Sequence, residues 1–107
     1  MKFLLLVCPD ETFTATDELA GELERWSEDV EQRGVLVEGH RLRGTGDATM
    51  VRDRGRQIID GPFAETKEQI AGYDVLDCAD LAEAVQFAAR HPVARFGAIE
   101  VRPFWSE

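Results

Sequence analysis

Apolar residues recur along this chain in two rhythms, and the switch between them marks the first elements. Phe3-Leu4-Leu5-Leu6-Val7-Cys8 is nearly continuous, the pattern of a central strand covered on at least one face, and predicts β structure over about residues 2–8. Leu19, Leu23, Trp26 and Val30 then recur at helical spacing while Glu22, Glu24, Glu28, Asp29 and Glu31 fall outward. That stripe predicts an amphipathic helix. Thr14 or Thr16 supplies its N-cap, Asp17 and Glu18 occupy the electropositive first turn, and Gly34 closes it.

The second half shortens the period again. Val35 to Leu42 reads as a strand, Gly44 to Asp47 as a turn, and Thr49–Arg52 with Arg56–Ile59 as a hairpin across Asp53-Arg54-Gly55. Ile70 to Asp77 is a further strand, with Gly72 marking a bulge or a close backbone approach. Asp80-Leu81-Ala82-Glu83 has the form of a capping box, and Leu81, Ala84, Val85 and Ala88 form the expected buried stripe of a second helix that stops at His91-Pro92. Ala98 to Arg102 alternates as the last strand. The order β-α-β, hairpin, β-α-β predicts an α+β ferredoxin-like sandwich: one antiparallel sheet with both helices on one face. The other face would be open and apolar, so two sheets are expected to meet as a homodimer. The first strand and the Ile70–Asp77 strand are expected as parallel neighbours, which would bring Cys8 and Cys78 to the same sheet end.

Composition changes this picture only at its edges. With 107 residues the chain reads as one domain, residues 1–107. Its net charge of -9 disfavours nucleic acid and anionic membrane surfaces as partners. Acidic residues crowd Asp17 to Glu31, whereas Arg41, Arg43, Arg52, Arg54 and Arg56 cluster mid-chain. The second group forms either a solvated face or a pocket rim that favours an anionic ligand. The apolar opening run is too short for a leader or a membrane span, so a cytoplasmic location with reduced Cys8 and Cys78 thiols is expected. Two histidines and two cysteines, widely separated, offer no metal-ligand spacing, and no phosphate loop or dinucleotide fingerprint is present. No cofactor is expected.

One segment is more crowded than fold-building requires: Asp60-Gly61-Pro62-Phe63-Ala64-Glu65-Thr66-Lys67-Glu68-Gln69. Asp60 can bond the backbone two residues on, Gly61 admits unusual φ, and Pro62 fixes its own φ. With Gly72-Tyr73, Ala48-Thr49-Met50-Val51-Arg52 and Ala88-Ala89-Arg90-His91-Pro92, the chain resembles the DGPF-domain proteins of the YCII-related family over nearly its whole length. The resemblance implies a dimeric α+β barrel. Some relatives are enzymes, among them a dehydrochlorinase acting on a chlorinated hydroquinone, with a proposed His–Asp pair on the first helix and before the proline after the second. Here those places hold Glu22 and His91.

Site candidates follow from residue type and position. His40, at the end of the second strand, is a general-base candidate, and Asp60 a carboxylate able to orient it or to shape the turn. Arg41 and Arg52, Phe63 and Tyr73 are candidate contacts for a small anionic or aromatic ligand. His91, at a helix C-terminus, is expected to favour its protonated form there. Two functions fit: a small-molecule cleft near a dimer interface, with cofactor-free acid–base or lyase chemistry, or a non-catalytic dimeric interaction module anchored by Phe63.

Overall fold

The computed structural model describes residues 1–61 and 69–105. Pro62, Phe63 and the rest of the crowded segment through Glu68 lie outside the described residues. Among the described residues six strands and two helices run in the order β1 (Lys2–Pro9), α1 (Asp17–Gln32), β2 (Leu36–Arg41), β3 (Thr49–Arg52), β4 (Gln57–Asp60), β5 (Gly72–Asp77), α2 (Leu81–Ala89) and β6 (Gly97–Pro103). The main sheet has the order β2-β5-β1-β6, with every neighbouring pair antiparallel. This is the ferredoxin-like α+β arrangement. The hairpin β3–β4 forms a separate two-stranded sheet inserted between β2 and β5.

Two topological expectations are corrected. β1 and β5 run antiparallel, with Lys2 opposite Asp77 and Val7 opposite Gly72. The α1 crossover returns β2 in the direction of β1, and β5, paired antiparallel to β2, must then oppose β1 as well. Cys8 and Cys78 therefore lie at opposite ends of the sheet, both buried. Burial, with Glu83 and Asp77 nearby, pushes the Cys78 thiol up to about 11, which leaves it a poor nucleophile.

Register divides the sheet cleanly, because directly opposed residues share a face. Phe3, Leu5 and Leu76 point to the helices and pack with Trp26, Val30, Ala84, Phe87 and Ala88. Leu4, Leu6, Tyr73 and Val75 point to the other face, where Glu38, His40, Glu100 and Arg102 form exposed flanks. α1 is capped by Thr16, whose hydroxyl accepts the Leu19 N–H at 3.1 Å. In α2 the Asp80 carboxylate accepts the Glu83 N–H at 2.9 Å, and Glu83 reaches back to the Ala79 N–H, one residue before the cap. The buried stripe of α2 is Ala84, Phe87 and Ala88, so Leu81 and Val85 are exposed, contrary to expectation. α2 has only nine residues, and the bulk of Phe87 turns its inner face.

The hairpin stands clear of the core: Val51 and Ile58 are 60% and 66% exposed. The radius of gyration is 15.3 Å, and the thinnest dimension is 19 Å. A compact domain of this length would have a radius near ~13 Å. Gly61 closes the hairpin by close approach. Its φ is not in the positive region; a Cβ there would lie 2.0 Å from the Thr45 carbonyl oxygen. The Gly61 N–H donates to the Ala48 carbonyl at 2.7 Å.

One buried hydrogen bond ties the two helices together: the Trp26 indole donates to the Phe87 carbonyl at 2.9 Å. Trp26→Phe removes the donor and leaves the Phe87 carbonyl to the longer bond from the Arg90 N–H at 3.2 Å, at a cost of about 0.5–1.5 kcal/mol. Urea unfolding should show a lowered midpoint with an unchanged slope.

Candidate functional site

A cleft of about 530 Å³ opens between the first half of α1 and the β2–β5 side of the sheet. Its walls are largely apolar (Val7, Phe13, Leu19, Leu23, Leu36 and Val93), and small residues make the room: Ala15, Ala20, Gly39 and Gly72. Polar groups are few, which is the usual composition of a ligand cleft.

Asp74 is the group that chemistry would single out. On β5 it lies between Gly72 and Leu76 on the helix-facing side, opposite Leu5 of β1 and Gly39 of β2. Its carboxyl fits because Gly39 has no side chain: a Cβ there would fall 2.2 Å from Asp74 Oδ1. Asp74 forms no hydrogen bond or ion pair with any described residue, and burial pushes its pKa up to about 6. A carboxyl that is half protonated near pH 6 and uncommitted to any described partner can both give and take a proton.

His91 is the second titratable group on the cleft wall and the one buried polar side chain of the described core. Its Nδ1 accepts the Val93 N–H at 3.1 Å, and its ring meets Trp26 edge to face with centroids 4.7 Å apart. The proton of the neutral ring then sits on Nε2. Burial holds the pKa down to about 4, the reverse of the protonated state expected from the α2 dipole. A helix terminus stabilises an exposed cation; here removal from water is the larger effect.

The residues singled out by sequence divide into three groups. Arg41 has the same parity as Asp74 and Gly39 and borders the cleft. His40 and Tyr73 border it as well, but parity turns their side chains to the open face. There they form a trio with Glu38, whose carboxylate accepts the Tyr73 hydroxyl at 3.2 Å and lies 3.5 Å from His40 Nε2. Asp60 is not brought to His40: its described contact is the Thr49 hydroxyl at 3.3 Å, across the exposed hairpin. Glu38 is the carboxylate beside His40. Arg52 is exposed at the end of β3, and Phe63 lies outside the described residues.

Glu22 and His91 border a second, smaller cleft of about 380 Å³ on the outer side of α1. There Glu22 is ion-paired with Arg95. Among the described residues no group of three or more His, Cys, Asp or Glu is placed to hold a metal ion. No helix among the described residues is long and apolar enough to cross a membrane. Sequence reading missed Asp74, although a signal was present: in Gly72-Tyr73-Asp74-Val75-Leu76 it occupies the parity of the core residue Leu76.

The family model of the YCII-related domain matches residues 1–106. An uncharacterized protein of Rhizobium meliloti (strain 1021) is 48% identical over 62 residues, covering 55% of this chain and 50% of the relative. The match thus spans about half the length of that curated relative. Among solved structures, 5-chloro-2-hydroxyhydroquinone dehydrochlorinase from Burkholderia phenoliruptrix AC1100, in complex with 2,5-dihydroxybenzoquinone, superposes with a TM-score of 0.51. It is 12% identical and covers 100% of this chain and 96% of its own. A likeness at that identity is one of fold.

The two perturbed groups act oppositely on stability. Asp74 titrates higher folded than unfolded, so its contribution is full below the ordinary carboxylate pKa and is lost as pH rises through about 6. His91 titrates lower, so its contribution is present above the ordinary imidazole pKa and is lost as pH falls through about 4. Asp74→Asn removes the first effect only. The variant should gain on wild type as pH rises from 4 to 7, by about 1–2 kcal/mol once the partial exposure of Asp74 is allowed for. Paired urea unfolding curves across that range measure the difference.

Proposed function

Since the chain belongs to the YCII-related family, we propose that the cleft beneath α1 binds a small hydroxylated aromatic or similarly flat ligand and that Asp74 moves a proton on it. The observation that carries this reading is a carboxyl without a partner among the described residues, raised to about 6, in an otherwise apolar cleft. Apolar walls suit the faces of a ring, Arg41 at the border suits an ionised hydroxyl or carboxylate, and the neutral His91 edge offers a donor. The fold neighbour was captured with 2,5-dihydroxybenzoquinone, a flat oxygenated ring of the class that these walls would accept. In this reading the ionised Asp74 takes a proton from the bound ring, and the protonated form returns it to a neighbouring carbon or to a leaving group. That is acid–base or lyase chemistry run by the chain's own side chains. His40, Glu38 and Tyr73 act on the other face.

That other face supports a homodimer. Its centre is apolar (Leu4, Leu6 and Val75) and its flanks are charged (Glu38, His40, Glu100 and Arg102), the layout of an interface with a dry centre and a wet rim. Two copies meeting there would also give the exposed hairpin apolar surface to cover.

Thermal shift and calorimetry with hydroquinone, catechol and 2,5-dihydroxybenzoquinone test the cleft. Binding is expected, with Gly39→Ala weakening it roughly tenfold by displacing the Asp74 carboxyl, and Asp74→Asn abolishing any turnover while the fold is kept. No binding of flat aromatics to wild type, or equal binding to Gly39→Ala, would overturn the reading. Sedimentation tests assembly separately: wild type should run as a dimer, and Leu6→Lys, which places a charge at the centre of the open face, as a monomer.

A further inference from the structure

The smaller cleft on the outer side of α1 carries an unbalanced charge in a chain whose net charge is -9. Two carboxylates and three guanidiniums line it: Glu22 and Asp29, with Arg25, Arg90 and Arg95. Both carboxylates are already matched, Glu22 to Arg95 and Asp29 to Arg33 at 2.9 Å. Arg25 and Arg90 form no ion pair among the described residues, so two positive charges are left over.

Both of these side chains are exposed, and each lies over a neighbouring part of the chain. A Cβ at Gly21 would lie 3.3 Å from Arg25 Nη1, so Arg25 lies back along the helix over a residue with no side chain. Arg90 sits over the Phe87 ring, 4.9 Å from its centroid. Trp26 and Pro92 give the cleft an apolar wall, and His91 borders it beside them. Two guanidiniums beside an apolar surface suit a planar, bidentate acceptor attached to carbon.

We propose that this cleft binds a small organic carboxylate, its oxygens between Arg25 and Arg90 and its apolar part against Trp26 and Pro92. The site is separate from the one under α1 and does not depend on the acid–base reading.

Trp26 is a built-in reporter once the other tryptophan, Trp105, is replaced by Phe. In that background, benzoate is titrated in buffer of constant chloride, with inorganic phosphate as the comparison anion. Indole emission and the His91 ring resonances are followed. Saturable benzoate binding that moves both signals is expected. Arg25→Gln and Arg90→Gln should each weaken it roughly tenfold, the loss of one charge-assisted contact. Gly39→Ala, which crowds the other cleft, and Arg56→Gln, on the hairpin, should leave it unchanged. Loss of binding in Gly39→Ala would move benzoate to the larger cleft and overturn the proposal. Phosphate binding more tightly than benzoate would overturn the carboxylate assignment. No saturable response, or one indifferent to both arginines, would overturn the site itself.

Discussion

The site rests on one steric concession: a glycine on β2 directly opposite an aspartate on β5. Any side chain at position 39 would occupy the space that the Asp74 carboxyl needs, a Cβ already falling 2.2 Å from its oxygen. The acid therefore stays on the helix-facing side, where the cleft walls strip it of water and no described group compensates it. An uncompensated carboxylate in such a place is a cost to the fold at neutral pH. Packing does not require it, since Leu5 and Leu76 already fill that layer of the core. A destabilising group that the core has no use for is a functional candidate on physical grounds alone.

Much of the fold was legible because the patterns were strong and local. The Leu19, Trp26 and Val30 stripe with Thr16 before it specifies α1, and the runs around Asp53-Arg54-Gly55 specify the hairpin. What failed depended on the third dimension. The relative direction of β1 and β5 follows from chaining two pairings across an intervening insertion, and no local pattern states it. In α2, Leu81 and Val85 fit a helical stripe as well as Phe87 does, and the choice between them is made by what lies under the helix.

The site was less legible, for the same reason. His40 and Asp60 were attractive by residue type, yet strand parity sends one to the open face beside Glu38, and the other closes an exposed hairpin with Thr49. Asp74 and His91 matter through burial, which residue type does not reveal. Both are pushed toward their neutral forms by the loss of water, so near pH 6 the cleft holds a half-protonated carboxyl and a neutral imidazole. Arg41 borders the cleft because its parity coincides with that of Asp74.

His91 joins the separate parts of the molecule. Its Nδ1 accepts the backbone that starts the turn after α2, its ring lies against Trp26, and Trp26 in turn bonds the last turn of α2. That chain fixes α1 against α2 and sets the width of both clefts, since His91 borders each of them. A neutral ring can do this without a counter-ion; a charged one at the same depth would need a carboxylate, and the Glu22 carboxylate at the outer cleft is held by Arg95. The neutral histidine wall keeps the larger cleft apolar enough to hold Asp74 at its raised pKa.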